Sequence, residues 1–287
     1  MKNSKNVLFC VIFPSNLKFF EEFINSAKNQ TTQNFDVFIV NDGLDDNILK
    51  QYIKSLICPF NILNVKNNQN YAKIREFGIN NLLSLGYENI IFADTDDLMS
   101  NNRIEMSIAA LERYPIVFND LSLIDINRNI IKNKIWSDRL SNTEITSMFL
   151  LDKNVIGLGN AAIKSHLLQN LRIPYDIVAV DWFIFFNAIK NNNIAFINKS
   201  ETFYRQYDSN IIGIEKVTKE RLFNIINVKK KHYKYIPTEL LGKNLIEIEQ
   251  IEKKISNPEY LQYSLNELNN KNIYYFWWEE TNFLKNL

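Results

Sequence analysis

An α/β fold, a largely parallel sheet flanked by helices, is predicted by three observations in the first hundred residues. Short apolar runs alternate there with segments of helical spacing, as strands joined by crossover helices require. Two of the runs, Val7–Phe13 and Ile90–Ala93, are apolar at consecutive positions, which suits strands buried on both faces. Turn signals, Pro14-Ser15-Asn16 and Asn41-Asp42-Gly43, stand where the chain has to leave a strand.

Taken in order, Val7–Phe13 is a strand stopped by Pro14, and Leu17–Asn29 is a helix whose apolar face is Phe19/Phe20, Phe23/Ile24 and Ala27. Phe35–Val40 is the second strand. Asp45-Asp46 can cap a helix running to Ile57, and Phe60–Val65 is the third strand. A helix from about Asn70 to Leu85 ends at Gly86 in the C′ position, and Asn89–Ala93 is the fourth strand. Right-handed crossovers bring every carboxyl end to one rim, a Rossmann-like arrangement whose ligands gather at that rim.

Beyond Asp97 the rhythm changes. Arg103–Tyr114 is a helix, and Pro115–Ile124 with Ile130–Trp136 form a hairpin about Asn127-Arg128-Asn129. Ser141–Leu151 is helical, and Gly157–Ile163 is a small-residue strand where backbone can lie close to a ligand. Val180-Asp181-Trp182 opens a helix to Lys190, followed by short strands at Ile194–Ile197 and Thr202–Tyr207. From about Glu215 the chain becomes a C-terminal helical extension with an aromatic run, Tyr274–Trp278. That extension is expected to pack on the α/β domain or on a sister subunit. The alternative is docking to a membrane face or partner through Lys229-Lys230-Lys231 and the aromatics.

Composition excludes several classes. Of 287 residues 46% are hydrophobic and 13% aromatic, ample for a core, and the net charge of +1 (33 basic, 32 acidic) gives no support to a nucleic-acid surface. Cys10 and Cys58 form no disulfide framework and are expected as core fillers in a reducing compartment. No apolar run reaches membrane-span length, and Val7–Phe13 lacks the features of a secretory leader. A cytoplasmic location is expected, with membrane contact limited to the periphery of the inner face.

The densest chemistry is Asp94-Thr95-Asp96-Asp97, three carboxylates at a strand's carboxyl end. Such a cluster suits a divalent cation, Mn²⁺ or Mg²⁺, shared with substrate phosphates; the plainer alternative is that Asp96 or Asp97 caps the helix starting near Ser100. Asp42 ends the second strand on the same rim and can accept the N3–H of a uracil, or can be an ordinary turn residue. Pro14 and Ser15 can line the base. Arg75 shares a helix face with Ile79 and Leu82, so it points inward, to a diphosphate or base contact or to a structural ion pair. Asp181 is either an N-cap or a general base. His166 and His232 have no ligand spacing and are expected to be structural or exposed.

These motifs, in this order over about residues 6–212, resemble the family 2 glycosyltransferases of the GT-A fold. The first strand with Pro14-Ser15 looks like that family's opening strand. Val40-Asn41-Asp42-Gly43-Leu44-Asp45-Asp46 is similar to its Val-Asp-Asp-Gly-Ser-x-Asp turn, and Asn70–Gly78 loosely to its Asn-x-Gly-x-x-x-Ala-Arg-Asn-x-Gly region. Phe92–Asp97 matches its Asp-x-Asp signature, Val180-Asp181-Trp182 its base segment, and Tyr204–Tyr207 a later Tyr-Arg-x-His element.

The resemblance implies a GT-A domain over 1–212, with a nucleotide half of about 1–98 and an acceptor half of about 99–212, and the helical extension over 213–287. It implies that Asp42 and Arg75, with Pro14 and Ser15, hold the nucleotide. Asp94, Thr95 and Asp96 would meet the donor, Asp94 and Asp96 would carry the metal, and Asp181 would be the catalytic base. Asn41, Val180 and Tyr207 depart from the pattern. Tyr207 stands at the family's metal-binding His, with Asp208 beside it as a stand-in. The implied activity is inverting, metal-assisted transfer of a hexosyl or N-acetylhexosaminyl group. The donor is a nucleoside-diphosphate sugar, UDP-linked by preference, and the acceptor a hydroxyl of a glycan, lipid-linked or protein substrate. The alternative is a catalytically weakened nucleotide-sugar or glycan-binding module. Homo-oligomer contacts through the C-terminal helices belong to the same expectation.

Overall fold

The computed structural model describes residues 4–65, 70–140, 145–189, 192–207, 216–270 and 278–285. Strand β1 (Asn6–Ile12) is followed by helix α1 (Leu17–Lys28), β2 (Asp36–Asp42), α2 (Asp46–Ile53), β3 (Phe60–Val65), α3 (Tyr71–Ser84) and β4 (Asn89–Asp94). All four strands are parallel, with β1 between β2 and β4 and β3 outside β2. The unbroken apolar runs are explained by alternation: Val7, Phe9 and Val11 enter one core and Leu8, Cys10 and Ile12 the other. Phe20, Phe23 and Ile24 of α1, with Leu49 and Ile53 of α2, cover the second face. Each such fully buried side chain contributes about 1.5–3 kcal/mol.

The local signals act as expected. The Asp45 carboxylate accepts the Asn47 and Ile48 N–H groups at 2.7 and 3.4 Å, and the Asn70 side chain accepts from Ala72 and Lys73 at 2.9 and 3.3 Å. Gly86, at φ 75°, ends the α3 segment. A side chain at Gly78 would stand 2.7 Å from Phe9 and 2.8 Å from Val40, so its absence lets α3 lie directly on the sheet.

The second half continues through β5 (Leu98–Met99), α4 (Arg103–Leu111), β6 (Ile116–Ile124), β7 (Ile130–Lys132), α5 (Ile135–Leu140) and α6 (Ser147–Asp152). It ends with β8 (Ala161–Lys164), α7 (Val180–Ile189) and β9 (Ile194–Arg205). The sheet order is β3-β2-β1-β4-β8-β6-β9-β5, with β7 paired to β6. Four expectations are corrected here. The second hairpin arm stops at Lys132, because the buried Asp120 carboxylate accepts the Trp136 and Ser137 N–H groups (2.8 and 3.2 Å) and starts α5 instead. Gly157–Asn160 is a turn closed by the Asn160 side chain, which accepts the Gly157 N–H at 2.8 Å; strand begins only at Ala161. Thr202–Tyr207 is not a separate strand, since β9 runs through an irregularity opposite Asn119/Asp120. The helix expected over Ser141–Leu151 begins at Ser147 behind its Thr146 cap, with 141–144 outside the described residues.

Helices α8 (Lys219–Tyr233), α9 (Thr238–Leu241), α10 (Asn244–Ile255), α11 (Pro258–Asn270) and α12 (Glu280–Leu284) form the extension. Leu222, Ile225, Ile248, Ile251 and Leu284 join the same core as Phe9 and Phe92, so the extension closes the sheet face that carries α3 and α7. Of the three lysines in the alternative reading of a membrane or partner face, Lys229 is buried and the partly exposed Lys230 pairs with Glu252 at 2.8 Å. Tyr274–Trp277 lie outside the described residues, and Trp278 is buried. Cys10 and Cys58 are buried and unpaired. Among the described residues no helix is long and apolar enough to cross a membrane.

Candidate active site

The carboxyl ends of β1, β2 and β4 share one rim. After β1 a 3-10 turn, Pro14–Asn16, leaves Pro14 and Ser15 exposed. Asp42 is the last residue of β2. It is buried, its Oδ1 has no hydrogen-bond partner, and burial raises its pKa. Asn41 explains its own departure from the family turn. Its amide donates to Leu44 O and Asn64 Oδ1 (2.8 and 2.9 Å) while its oxygen accepts the Leu44 N–H at 2.9 Å, and a carboxylate can do only the accepting.

The Asp-x-Asp segment is a turn, and neither later carboxylate caps a helix. Asp97 Oδ1 accepts the Arg205 N–H at 2.8 Å, Asp96 Oδ2 accepts the Tyr207 hydroxyl at 2.6 Å, and α4 begins only after Asn102. Thr95 is turned inward: it is fully buried, and its hydroxyl donates to Val11 O at 3.1 Å, tying β4 to β1. Asp94 faces the rim. Burial pushes its carboxyl up to about 6, with Asp96 and Asp181 adding to the rise and Arg75 opposing it. Asp97 is raised well above the usual range, first by burial and then by Asp96 and Asp94, and its Oδ2 is buried without a partner.

Two buried arginines lie at this turn, Arg205 bonded to it and Arg103 bonded to the strands beside it, and reasoning from sequence assigned neither a role in the site. Arg205, completely buried, donates through Nε to Asp96 O (2.8 Å) and through Nη1 to Ile126 O (3.1 Å), and pairs with Glu22 at 2.6 Å. Arg103 lies under the turn, donating to Asn119 Oδ1 at 2.8 Å and Phe92 O at 2.5 Å. The readable signal was a charged residue inside apolar periodicity, a position that folding fills only when the charge is matched. Arg75 points inward as its spacing predicted: Nη2 lies 3.9 Å from Asp94 Oδ1, and the guanidinium is 5.9 Å from the Phe13 ring centroid.

The Gly157–Asn160 turn separates the Asp-x-Asp carboxylates from Asp181. A side chain on Gly159 would meet Asp94 Oδ2 at 3.0 Å and Asp97 Oδ2 at 3.1 Å; one on Gly157 would lie 3.8 Å from Asp181 Oδ2. Backbone thus approaches both acidic groups where the sequence placed small residues. Asp181 sits inside the first turn of α7, where its Oδ1 accepts the Trp182 N–H at 2.8 Å. Burial raises its pKa, while Asn154, the Trp182 N–H and Arg75 pull the other way. His166 lies in a short 3-10 helix, Ser165–Leu168, and His232 is buried against Trp182.

The donor set is all oxygen and crowded with like charge, which fits a hard divalent cation. Among the described residues no group of three or more His, Cys, Asp or Glu is arranged to hold a metal ion. Asp94 and Asp96 would therefore act as a pair, with substrate oxygens completing the shell. Tyr207, at the expected position of a third ligand, bonds to Asp96, and its ring lies 5.0 Å from that of Phe19. Asp208 is outside the described residues.

Comparison with known proteins places this geometry. Residues 10–172, more than half of the chain, match the family described as Glycosyl transferase family 2. The Escherichia coli protein WfgD, a UDP-Glc:alpha-D-GlcNAc-diphosphoundecaprenol beta-1,3-glucosyltransferase, is 27% identical over 176 residues, 61% of this chain and 66% of its own length, just short of two thirds. Among solved structures, S. aureus TarS 1-349 in complex with UDP-GlcNAc superposes with a TM-score of 0.60 at 14% identity, over 91% of this chain and 75% of that one. The mannosyltransferase PcManGT from Pyrobaculum calidifontis, in complex with GDP-Man and Mn²⁺, gives 0.55 at 14% identity, over 91% and 73%.

Proposed function

The chain belongs to glycosyl transferase family 2 and has the GT-A fold, and from that premise we propose that it is an inverting glycosyltransferase using a nucleoside-diphosphate sugar. The observation that carries the reading is the convergence of Asp42, Asp94, Asp96 and Asp181 on one rim, three of them with raised pKa values and one with an unpartnered buried oxygen.

Asp42 Oδ1 is an acceptor with no donor, suited to the N3–H of uracil, so a UDP-sugar is the preferred donor. WfgD, named as a UDP-Glc-dependent glucosyltransferase, points the same way. Arg75 lies 3.9 Å from Asp94 and faces the diphosphate. A divalent cation on Asp94 and Asp96, when bound, neutralises charge on the departing nucleoside diphosphate. Asp181 takes the proton of the acceptor hydroxyl as that oxygen attacks the anomeric carbon and the carbon–oxygen bond to the diphosphate breaks. No enzyme nucleophile takes part. Its raised pKa makes Asp181 a stronger base than an exposed carboxylate. A glycan or lipid-linked hydroxyl is the proposed acceptor, on the analogy of WfgD.

One observation favours a weaker catalyst: the residue at the position of a third metal ligand, Tyr207, spends its hydroxyl on a hydrogen bond to Asp96 Oδ2. The test is release of UDP from UDP-glucose and UDP-GlcNAc with Mn²⁺, compared between the wild type and Asp181→Asn. Turnover lost in the variant with donor binding kept supports the base; equal turnover in both removes Asp181 from that role. Tight donor binding without turnover in the wild type selects the weakened module.

A further inference from the structure

We propose that the C-terminal helices are a positioning element for Asp181, acting through a ring stack on Trp182 and a clamp on the end of α6, from which the chain leads to the Gly157–Asn160 turn. This rests on the reading of Asp181 as the base and gives α8, α10 and α12 a part in the reaction.

Two routes lead from the extension to Asp181. The first is its neighbour Trp182, fully buried, whose backbone N–H is the donor to the Asp181 carboxylate. Its indole N–H donates to Leu150 O at 2.5 Å, and its face is covered by His232 of α8, with centroids 3.9 Å apart and planes at 14°. The residue whose N–H holds the Asp181 carboxylate therefore has one ring face covered by the extension. Both His232 nitrogens are buried without partners, so the contact uses the flat ring and not its hydrogen-bonding capacity.

The second route is Asp152, five residues before Gly157, where an added Cβ would lie 3.8 Å from Asp181 Oδ2. Its backbone oxygen accepts from Lys229 Nζ at 3.2 Å and Asn282 Nδ2 at 3.0 Å. Its carboxylate accepts from Lys285 Nζ at 2.8 Å and Asn244 Nδ2 at 2.5 Å. Donors from α8, α10 and the α12 region thus converge on Asp152, the last residue of α6, from which the chain runs to the Gly157–Asn160 turn beside Asp181. A helical add-on needed only for burial would require apolar contact; a set of directional bonds to one short segment fixes a position.

The test compares His232→Phe with His232→Ala in the full chain. Phe keeps a flat ring against Trp182, and Ala opens that face. The expected result is that Ala lowers kcat for Mn²⁺-dependent UDP release from UDP-glucose by tenfold to a hundredfold, the order of effect of a misplacement near 1 Å. KM for the donor stays within about twofold, and Phe restores kcat. Hydrogen exchange of amides 180–184 in the same variants is read without any substrate. Faster exchange there in Ala but not in Phe supports the inference; exchange unchanged in Ala overturns it. A fall in turnover shared equally by Phe and Ala, or matched by a fall in donor affinity, also overturns it. A wild type without turnover, but with the expected exchange pattern, would count against the proposed activity and leave the positioning of residue 181 supported.

Discussion

Two carboxylate centres in this molecule are built from the same residue types and have opposite electrostatics. At Asp152 the acid is surrounded by Lys285, Lys229 and Asn244, and these partners pull its pKa below the usual range despite desolvation. At the rim, Asp94, Asp97 and Asp181 are desolvated among one another and their pKa values rise. A carboxylate that is matched within the fold holds structure together. One left unmatched is held by the rest of the fold in a state that a bound cation or a proton from substrate would relieve. The difference separates a structural centre from a reactive one without reference to conservation.

The comparison is broken most severely at Asp181. Asp181→Asn should lower kcat by about 10²–10⁴-fold, the scale of general-base removal, with nucleotide affinity within twofold, measured by UDP release and by titration calorimetry. At the matched centre, Asp152→Ala strips a neutralising charge from Lys229 and Lys285. The side chain is 36% exposed, so solvent screening limits the loss to about 1–2 kcal/mol in urea denaturation, with the donor site itself untouched. At the unmatched centre the sign reverses. Asp94→Asn relieves repulsion from Asp96 and Asp181 but gives up the Arg75 pair, and with the side chain 36% exposed the net gain in stability of the free protein should stay below about 1 kcal/mol, while its response to nucleotide with Mn²⁺ is abolished.

The smallest effect is a pH dependence from the extension. Burial, with Lys229 adding, depresses the His232 pKa to about 3. The unfolded chain therefore binds a proton below about pH 6.5 that the folded chain does not, and the stability carried by neutral His232 is complete above that value and lost as pH falls toward 3. From pH 7 to pH 6 the loss attributable to His232 is about 0.7 kcal/mol. His232→Phe should flatten that part of the urea-midpoint profile; an unchanged slope would show that another group causes it.

Much of the fold was legible because its signals are local. Apolar runs of strand length, Asn70 as a cap and Gly86 as a stop act through their own neighbours, and the four parallel strands follow from them. Misreadings fell where a distant group decides the outcome. Trp136 begins a helix because Asp120, sixteen residues earlier, supplies the acceptor. Lys229 looked like surface charge and is buried because Asp152 and Asn282 receive it. At the site, Asp42, Arg75, Asp94 and Asp181 were recognisable as acids or bases placed against apolar context. Arg205 was not, because its task, holding the Asp96–Asp97 turn, depends on a strand more than a hundred residues away. Thr95 shows the converse: its place within the motif suggested the donor, and its hydroxyl faces Val11 instead.

The central claim, that the unmatched rim carboxylates form a metal-assisted nucleotide-sugar site, is tested most directly by thermal shift. The wild type and Asp94→Asn are compared with UDP, GDP, dTDP and CDP, each with and without Mn²⁺. The account predicts a rise with UDP that requires Mn²⁺ and disappears in Asp94→Asn, approaching about 2.7 kcal/mol of linkage at a hundredfold excess over Kd. No rise with any of the four nucleotides, or a rise with UDP that is indifferent to both the metal and Asp94, would contradict it.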